Sequence, residues 1–374
     1  MEKINTAFLK EMFEKYNFNI NQYVSYKAIS KGHINTTYVL YFDYGNKVKR
    51  YLLQEINTNV FKEPEKLMNN INLVSKHCEK KLKEYDKNYK NKTLRIYPSK
   101  ENKSYVILSD NSCWRVYHYV ENSVTHDISN DKVIFYQAGQ IIGNFQNLLS
   151  DFDSSNLYEV IKDFHNTIKR YDFFIKTLEN VDKNIINKCQ KEISFFIKNK
   201  EIACLIQSLI DQKKLPLRVT HNDTKLNNLM FEYKTNQGMC LVDLDTVMPG
   251  CICYDYGDFI RSACNCADED EKDLSKVVFQ TDNCLSFTKG YLEKVKKTIT
   301  PLEVDNLING AIVMTYECGI RFLTDYLNGN TYFKIDYEDH NLIRCKTQIH
   351  LCKQLIQNKE FLENKISEIY KNVA

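Results

Sequence analysis

Over the first 120 residues the apolar positions fall in short runs that alternate with polar ones, and from Ser129 onward they recur at helical spacing. The β-favouring runs Val24 to Ser30 and Thr36 to Phe42 flank Lys31-Gly32-His33-Ile34-Asn35, which predicts a hairpin with a glycine at its turn. A third strand is expected over Val48 to Ile56 and further strands over 94–97, 105–108 and 114–120. In the last of these, Trp114, Val116, His118 and Val120 alternate with Arg115, Tyr117 and Tyr119. Leu67, Ile71, Val74 and Cys78 predict a helix over 63–85, and the charged N-terminal stretch MEKINTAFLKEMFEKYNF reads as an amphipathic helix rather than a signal peptide. Later helices are expected over 132–149, 157–169, 184–199, 201–213, 287–297 and 304–328, with one or two more over 339–370.

One stretch breaks the helical pattern. VTHNDTKLNNLMF begins at Val219, and its turn-formers Asn222, Asp223 and Thr224 predict a loop. Leu229 to Phe231 and Met239 to Val242 read as buried strands on either side, the second ending in Asp243 and Asp245. A loop mounted between buried strands is a rigid support for polar groups.

The spacing inside that loop carries chemistry. The protein-kinase pattern H-R-D-L-K-x-x-N places a base Asp, a Lys two positions on and an Asn five positions on. Asp223, Lys225 and Asn228 keep those offsets, and Asp243 at the end of an apolar strand fits the later metal-binding Asp. Asn228 and Asp243 are hard oxygen ligands suited to Mg²⁺. Each piece also has a plainer reading. An Asx-rich loop is often only a turn, and Asp243 or Asp245 could cap the next turn. In YDYGDFIR, Asp255 and Asp258 could be helix-terminal carboxylates, with Asp258 and Arg261 a surface pair.

At these residues the chain resembles the aminoglycoside phosphotransferase and choline kinase superfamily. GHINTTY at 32–38, WRVY at 114–117, RVTHNDTKLNN at 218–228, DLDTVMPG at 243–250, DEKDLSK at 270–276 and MTYECGIRFLTDYL at 314–327 resemble the bacterial N-acetylhexosamine 1-kinases, over nearly the whole chain. The resemblance implies an α+β, bilobal, protein-kinase-like fold, with a small antiparallel-sheet N-lobe over 1–120 and a large helical C-lobe over 121–374. It implies transfer of the ATP γ-phosphate to the anomeric hydroxyl of GlcNAc or GalNAc, with Mg²⁺, Asp223 as base and Lys225 neutralising charge. Gly32, Asn35 and Thr36 would face the nucleotide phosphates, and the Tyr119 region would face adenine. His33 and Asn35 could point to phosphate or to sugar. A kinase of another small alcohol (choline, homoserine, methylthioribose or an aminoglycoside) and a nucleotide-binding pseudokinase are the alternatives.

Departures from the general kinase pattern matter here. Gln54 stands where kinases carry a phosphate-binding Lys, so the charge must come from elsewhere. Glu65 could turn toward the nucleotide or lie exposed in a first helical turn. Glu317, Arg321 and Asp325 lie four apart, which suits a surface salt-bridge ladder. The apolar residues around Arg321 argue instead that it turns inward toward the sugar, and the resemblance adds Tyr332 to that site. His165, near an expected helix end, reads as a capping or core residue.

Composition sets the remaining bounds. A net charge of +3 gives no reason to invoke nucleic acid or membrane as a partner, and no run is long and apolar enough to span a bilayer. The 13 cysteines are odd in number and scattered, which suits reduced thiols in the cytoplasm. Cys251/Cys253 and Cys264/Cys266 lack the usual zinc spacing and read as small buried side chains. The 11 Gly and 5 Pro argue against long flexible linkers.

Overall fold

The computed structural model describes residues 4–29 and 34–373. Gly32 and His33 therefore lie outside the described residues.

An antiparallel sheet opens the chain. Its strands β1 (Tyr23–Ile29), β2 (Thr36–Asp43), β3 (Val48–Ile56), β4 (Ile96–Tyr97), β5 (Val106–Ile107) and β6 (Cys113–His118) run in the order β1-β2-β3-β6-β4, with β5 also paired to β6. The period-two pattern gives the sheet two apolar faces. Tyr38, Leu40, Phe42, Leu53, Trp114 and Val116 point to one side, where helix α1 (Thr6–Tyr16) covers them with Met12, Phe13 and Tyr16. Asn5 caps α1 by accepting from Phe8 N at 2.9 Å, and Tyr16 donates its hydroxyl to Trp114 O at 3.1 Å. On the other side Tyr117 and Ile56 join the larger core with helix α2 (Pro64–Lys83). Proline at its first position suits the α2 start.

Buried Asn70 ties α2 to the rest of the molecule. Its Nδ2 donates to Tyr158 O and Val247 O at 2.7 and 2.9 Å, and its Oδ1 accepts from Tyr158 N at 2.9 Å. These bonds occupy both backbone groups of Tyr158, so the helix expected over 157–169 does not form there. Instead α4 (Thr167–Leu178) starts later, capped by Asn166, after α3 (Lys132–Leu148).

Beyond β6 the chain crosses through β7 (Ser123–Val124) into a mainly helical region. Short helices α5 (Lys183–Lys188), α6 (Gln190–Lys198) and α7 (Gln207–Asp211) precede β8 (Arg218–Thr220), β9 (Leu229–Glu232), β10 (Gly238–Leu241) and β11 (Met248–Gly250). β8 pairs with β11, and β9 lies between β10 and β7. Helices α8 (Ile252–Ala263), α9 (Thr281–Val295), α10 (Pro301–Asp305), α11 (Leu307–Leu327), α12 (His340–Gln357) and α13 (Lys359–Asn372) complete the fold. The single helix expected over 304–328 is broken at Asn306, and Asp273 caps a short 3₁₀ turn between α8 and α9.

The contact between α8 and α11 sets the site. A Cβ at Gly257 would stand 2.4 Å from Gly310 O, and one at Gly310 would stand 2.1 Å from Cys253 O. Glycine at both positions lets the two helices touch backbone to backbone. The architecture is the α+β arrangement expected, a small antiparallel sheet followed by a helical region.

Candidate active site

The loop His221–Asn228 leaves β8 and enters β9. Its backbone donors are taken up by two buried carboxylates of α8. Asp255 accepts from His221 N at 2.9 Å and Asn222 N at 2.7 Å, and Asp258 accepts from Thr224 N at 3.0 Å. Thr224 donates its hydroxyl to Asp255 O at 2.6 Å. Arg261 donates to Asp258 from Nη2 and Nε at 2.7 and 3.1 Å, and Gln146 donates to Asp255 at 2.8 Å. The Asp258–Arg261 pair is buried, not the surface pair that the i,i+3 spacing suggests. Asn222 takes the left-handed conformation, φ 64°, which asparagine tolerates better than most residues.

His221 braces the loop. Its Nδ1 accepts from Asp223 N at 3.2 Å, so Nε2 carries the proton and donates to Val242 O at 2.9 Å. Val242 N donates to Asn228 O at 2.9 Å, which sets Asn228 beside the residue preceding Asp243.

The fold brings Asp223, Lys225, Asn228 and Asp243 together. Lys225 Nζ lies 2.9 Å from Asp223 Oδ1, and Asn228 Nδ2 donates to Asp223 Oδ2 at 3.1 Å and to its carbonyl oxygen at 2.9 Å. Burial raises the Asp223 pKa, but the charge and hydrogen bond of Lys225 outweigh it and leave the carboxyl below its ordinary value. Asp243 sits in left-handed backbone, φ 62°, two residues beyond the end of β10. The residue is exposed at the surface of the site, and partial desolvation by the surrounding protein, with the charges of Asp245 and Asp223, pushes its carboxyl up to about 7. Among the described residues no hydrogen-bond donor reaches it. A hard divalent cation suits this donor set. Asp243 supplies uncompensated negative charge, and Asn228, with Nδ2 engaged, has Oδ1 left to ligate.

A second group lies across the sheet. Arg115, 1% exposed, donates from Nε and Nη2 to Gln54 Oε1 at 2.9 and 2.6 Å. Its Nη2 also stands 2.6 and 2.8 Å from the two Asp245 oxygens. Asn35 Nδ2 donates to Asp245 Oδ2 at 2.6 Å, and Asn35 Oδ1 accepts from Asn57 N at 3.0 Å. The Asn35 side chain is thus engaged with protein. Thr36 opens β2, opposite Glu55. Glu65 is exposed. Tyr119, just past β6, stacks its ring under Arg50 at 4.2 Å.

Arg321 and Tyr332 form a third group. Arg321 makes no ion pair or hydrogen bond among the described residues; its guanidinium lies 5.7, 5.9 and 5.5 Å from the rings of Phe164, Tyr332 and Phe333. The surface ladder that the spacing alone would suit does not form, because its acids are used elsewhere. Glu317 pairs with His165 Nδ1 at 2.9 Å and accepts from Thr167 at 2.7 Å, while Asp325 accepts from the backbone of Thr331, Tyr332 and Phe333. His165 links this group to the loop, with Nε2 3.3 Å from Asn222 O. Arg170 donates to Phe164 O at 3.0 Å, while its Nε has no partner.

Arg170 and Gln146 went unnoticed in the sequence, while Arg115 read only as the polar half of an alternating strand and Asp245 only as a possible turn cap. Arg115 gives a local signal, a charge in an apolar strand opposite Gln54; the other three depend on long-range packing.

Residues 100–275, from the loop before β5 to the 3₁₀ turn after α8, match the profile of the phosphotransferase enzyme family. In overall fold the chain is similar to an ethanolamine kinase of Plasmodium vivax (TM-score 0.56, 15% identity, covering 93% of this chain and 90% of that one). It is also similar to a choline kinase of Cryptosporidium parvum (0.56, 12%, 99% of each chain). A spectinomycin phosphotransferase, solved with ADP and spectinomycin, is a further match (0.53, 13%, 100% of this chain and 99% of that one). The chain therefore has a kinase-like fold.

Proposed function

We propose that this chain is an ATP- and Mg²⁺-dependent kinase that phosphorylates N-acetylhexosamines, GlcNAc or GalNAc, at the anomeric hydroxyl. The observation that carries the reading is the Asp223–Lys225–Asn228–Asp243 cluster on a loop whose backbone is fixed by Asp255 and Asp258. The family match over 100–275 supports phosphoryl transfer, and the sequence resemblance supports the sugar. ATP lies between a sheet lobe (1–120) and a helical lobe (121–374), in a cytoplasmic enzyme.

Asp223 aligns the acceptor hydroxyl and takes its proton as the oxygen attacks the γ-phosphorus. The bond to the leaving ADP oxygen breaks, and no covalent enzyme intermediate is needed. Lys225 lowers the Asp223 pKa and makes it a weak base. An anomeric hydroxyl is more acidic than an ordinary alcohol, so a weak base suffices. Lys225 also offsets charge on the moving phosphoryl group. Mg²⁺, held by Asn228 and Asp243, would neutralise the nucleotide phosphates. Arg321 and Tyr332 bind the sugar, Arg321 donating to hydroxyl or amide oxygens.

A cationic acceptor such as choline suits this cleft poorly. The aromatic rings that would hold an ammonium already face the Arg321 guanidinium, with Arg170 close by.

The test is a panel of GlcNAc, GalNAc, glucose, choline, ethanolamine and spectinomycin with Mg–ATP, read by ADP release and followed by a reducing-end assay. The reading requires turnover with an N-acetylhexosamine and loss of the reducing end, since only a C1 phosphate blocks ring opening. Turnover with choline alone, or with none of the panel, contradicts it.

A further inference from the structure

In protein kinases the strand-β3 lysine meets the nucleotide phosphates and is held by a helix carboxylate. That lysine–carboxylate pair does not form among the described residues. Gln54 replaces the lysine, and the α2 residue that meets Arg115 is Met68, whose sulfur is 3.6 Å from Nη1. The cation instead comes from the next strand, since Gln54 and Arg115 are directly paired across β3 and β6.

Several contacts fix that cation. Gln54 Nε2 donates to Thr37 Oγ1 at 3.0 Å, which leaves Oε1 as the acceptor for the guanidinium. Arg115 then meets both oxygens of Asp245, two residues beyond Asp243, and Asn35 completes the set from the start of β2. A buried pair of this kind costs desolvation and contributes little net stability, so its placement between the sheet and the Asp243–Asp245 turn calls for another explanation.

We propose that Arg115 is a positioning residue for the metal-binding turn. Through Asp245 it holds the Asp243–Asp245 turn in the orientation that receives Mg²⁺ with the nucleotide, and through the shared Asn35 contact it ties that turn to the N-terminal end of β2. Gln54 orients Arg115 rather than touching phosphate. This inference rests on the kinase reading above.

A double-mutant cycle tests it. Binding of Mg–ATP, and of ATP in EDTA, is measured by calorimetry for the full chain, Arg115→Met, Asp245→Asn and the double variant, with Tm for each. Arg115→Met is expected to weaken Mg–ATP binding about 10-fold or more, on the scale of other residues that orient metal ligands, and to lower Tm. EDTA–ATP binding should change far less. In the Asp245→Asn background the same substitution should cost under about 2-fold, because the residue through which Arg115 acts is already altered, and Tm should recover relative to Arg115→Met. Arg115→Lys should restore part of the Mg–ATP affinity, and it replaces Arg115→Met in the cycle if that variant does not fold. Unchanged Mg–ATP binding, or equal losses in both backgrounds, overturns the inference and leaves the kinase reading standing. A wild-type chain that binds no Mg–ATP overturns both.

Discussion

Asp255 holds the backbone of Asn222: a carboxylate oxygen on α8 accepts the Asn222 N–H at 2.7 Å, one residue before Asp223. The base is therefore aimed by a helix that need not touch the substrate. Its second oxygen takes the His221 N–H at 2.9 Å, so one side chain satisfies consecutive amides in a fully buried place. Asp255→Ala should destabilise the fold by about 3 kcal/mol or more, since buried amides lose a charged acceptor. Turnover should fall even in the fraction that stays folded. Chemical denaturation paired with active-site-normalised kcat checks this; an unchanged kcat per folded molecule would count against a role in aiming Asp223.

Metal affinity should depend on pH with a definite sign. Partial desolvation and the neighbouring Asp245 and Asp223 charges push the metal-free Asp243 carboxyl up to about 7. Only the ionised form binds Mg²⁺, so protons compete below that pH. The apparent Mg²⁺ requirement should be flat above pH 8 and rise up to about tenfold per unit as pH drops below about 7. Magnesium titrations of activity at pH 6, 7 and 8 measure it, and a requirement independent of pH would remove Asp243 as the titrating ligand.

Arg321 should act on the acceptor and not on the nucleotide. Arg321→Met removes the guanidinium and keeps much of the apolar stem. The acceptor KM is expected to rise about 10-fold or more, with the ATP KM within about 2-fold, as for loss of a charged hydrogen bond. Tyr332 is 71% exposed, and Tyr332→Phe should have a smaller effect in the same direction. A matching rise in the ATP KM would place Arg321 on the wrong substrate.

The α8–α11 contact predicts an effect on stability. Gly310→Ala drives a methyl to 2.1 Å from Cys253 O, a backbone atom that cannot swing aside. Helices must separate, and overpacking of this kind costs about 1–3 kcal/mol. Thermal unfolding checks it; a variant as stable as the wild type would show that the helices part without penalty.

The loop itself was legible because its chemistry is local: Asp223, Lys225 and Asn228 keep their offsets along one short stretch, and apolar strands bracket them. The antiparallel sheet was legible for the same reason, through alternation in β2, β3 and β6. What escaped depends on contacts distant in sequence. Asp258 and Arg261 have the spacing of an exposed helical pair, and only the packing of α8 under the loop turns them inward. The run 157–169 has helical apolar spacing, but Asn70, 88 residues before Tyr158, captures the backbone that a helix needs. Arg115 read as the polar half of an alternating strand. Its partners Gln54 and Asp245 come from 61 and 130 residues away.

The kinase account as a whole is most directly tested by kcat of Asp223→Asn against the wild type with GlcNAc and Mg–ATP. The substitution keeps the shape and removes the proton acceptor. The account predicts a variant with wild-type Tm, acceptor and nucleotide binding within a few-fold, and kcat lower by about 10²- to 10⁴-fold. A folded variant that turns over at close to the wild-type rate would contradict it.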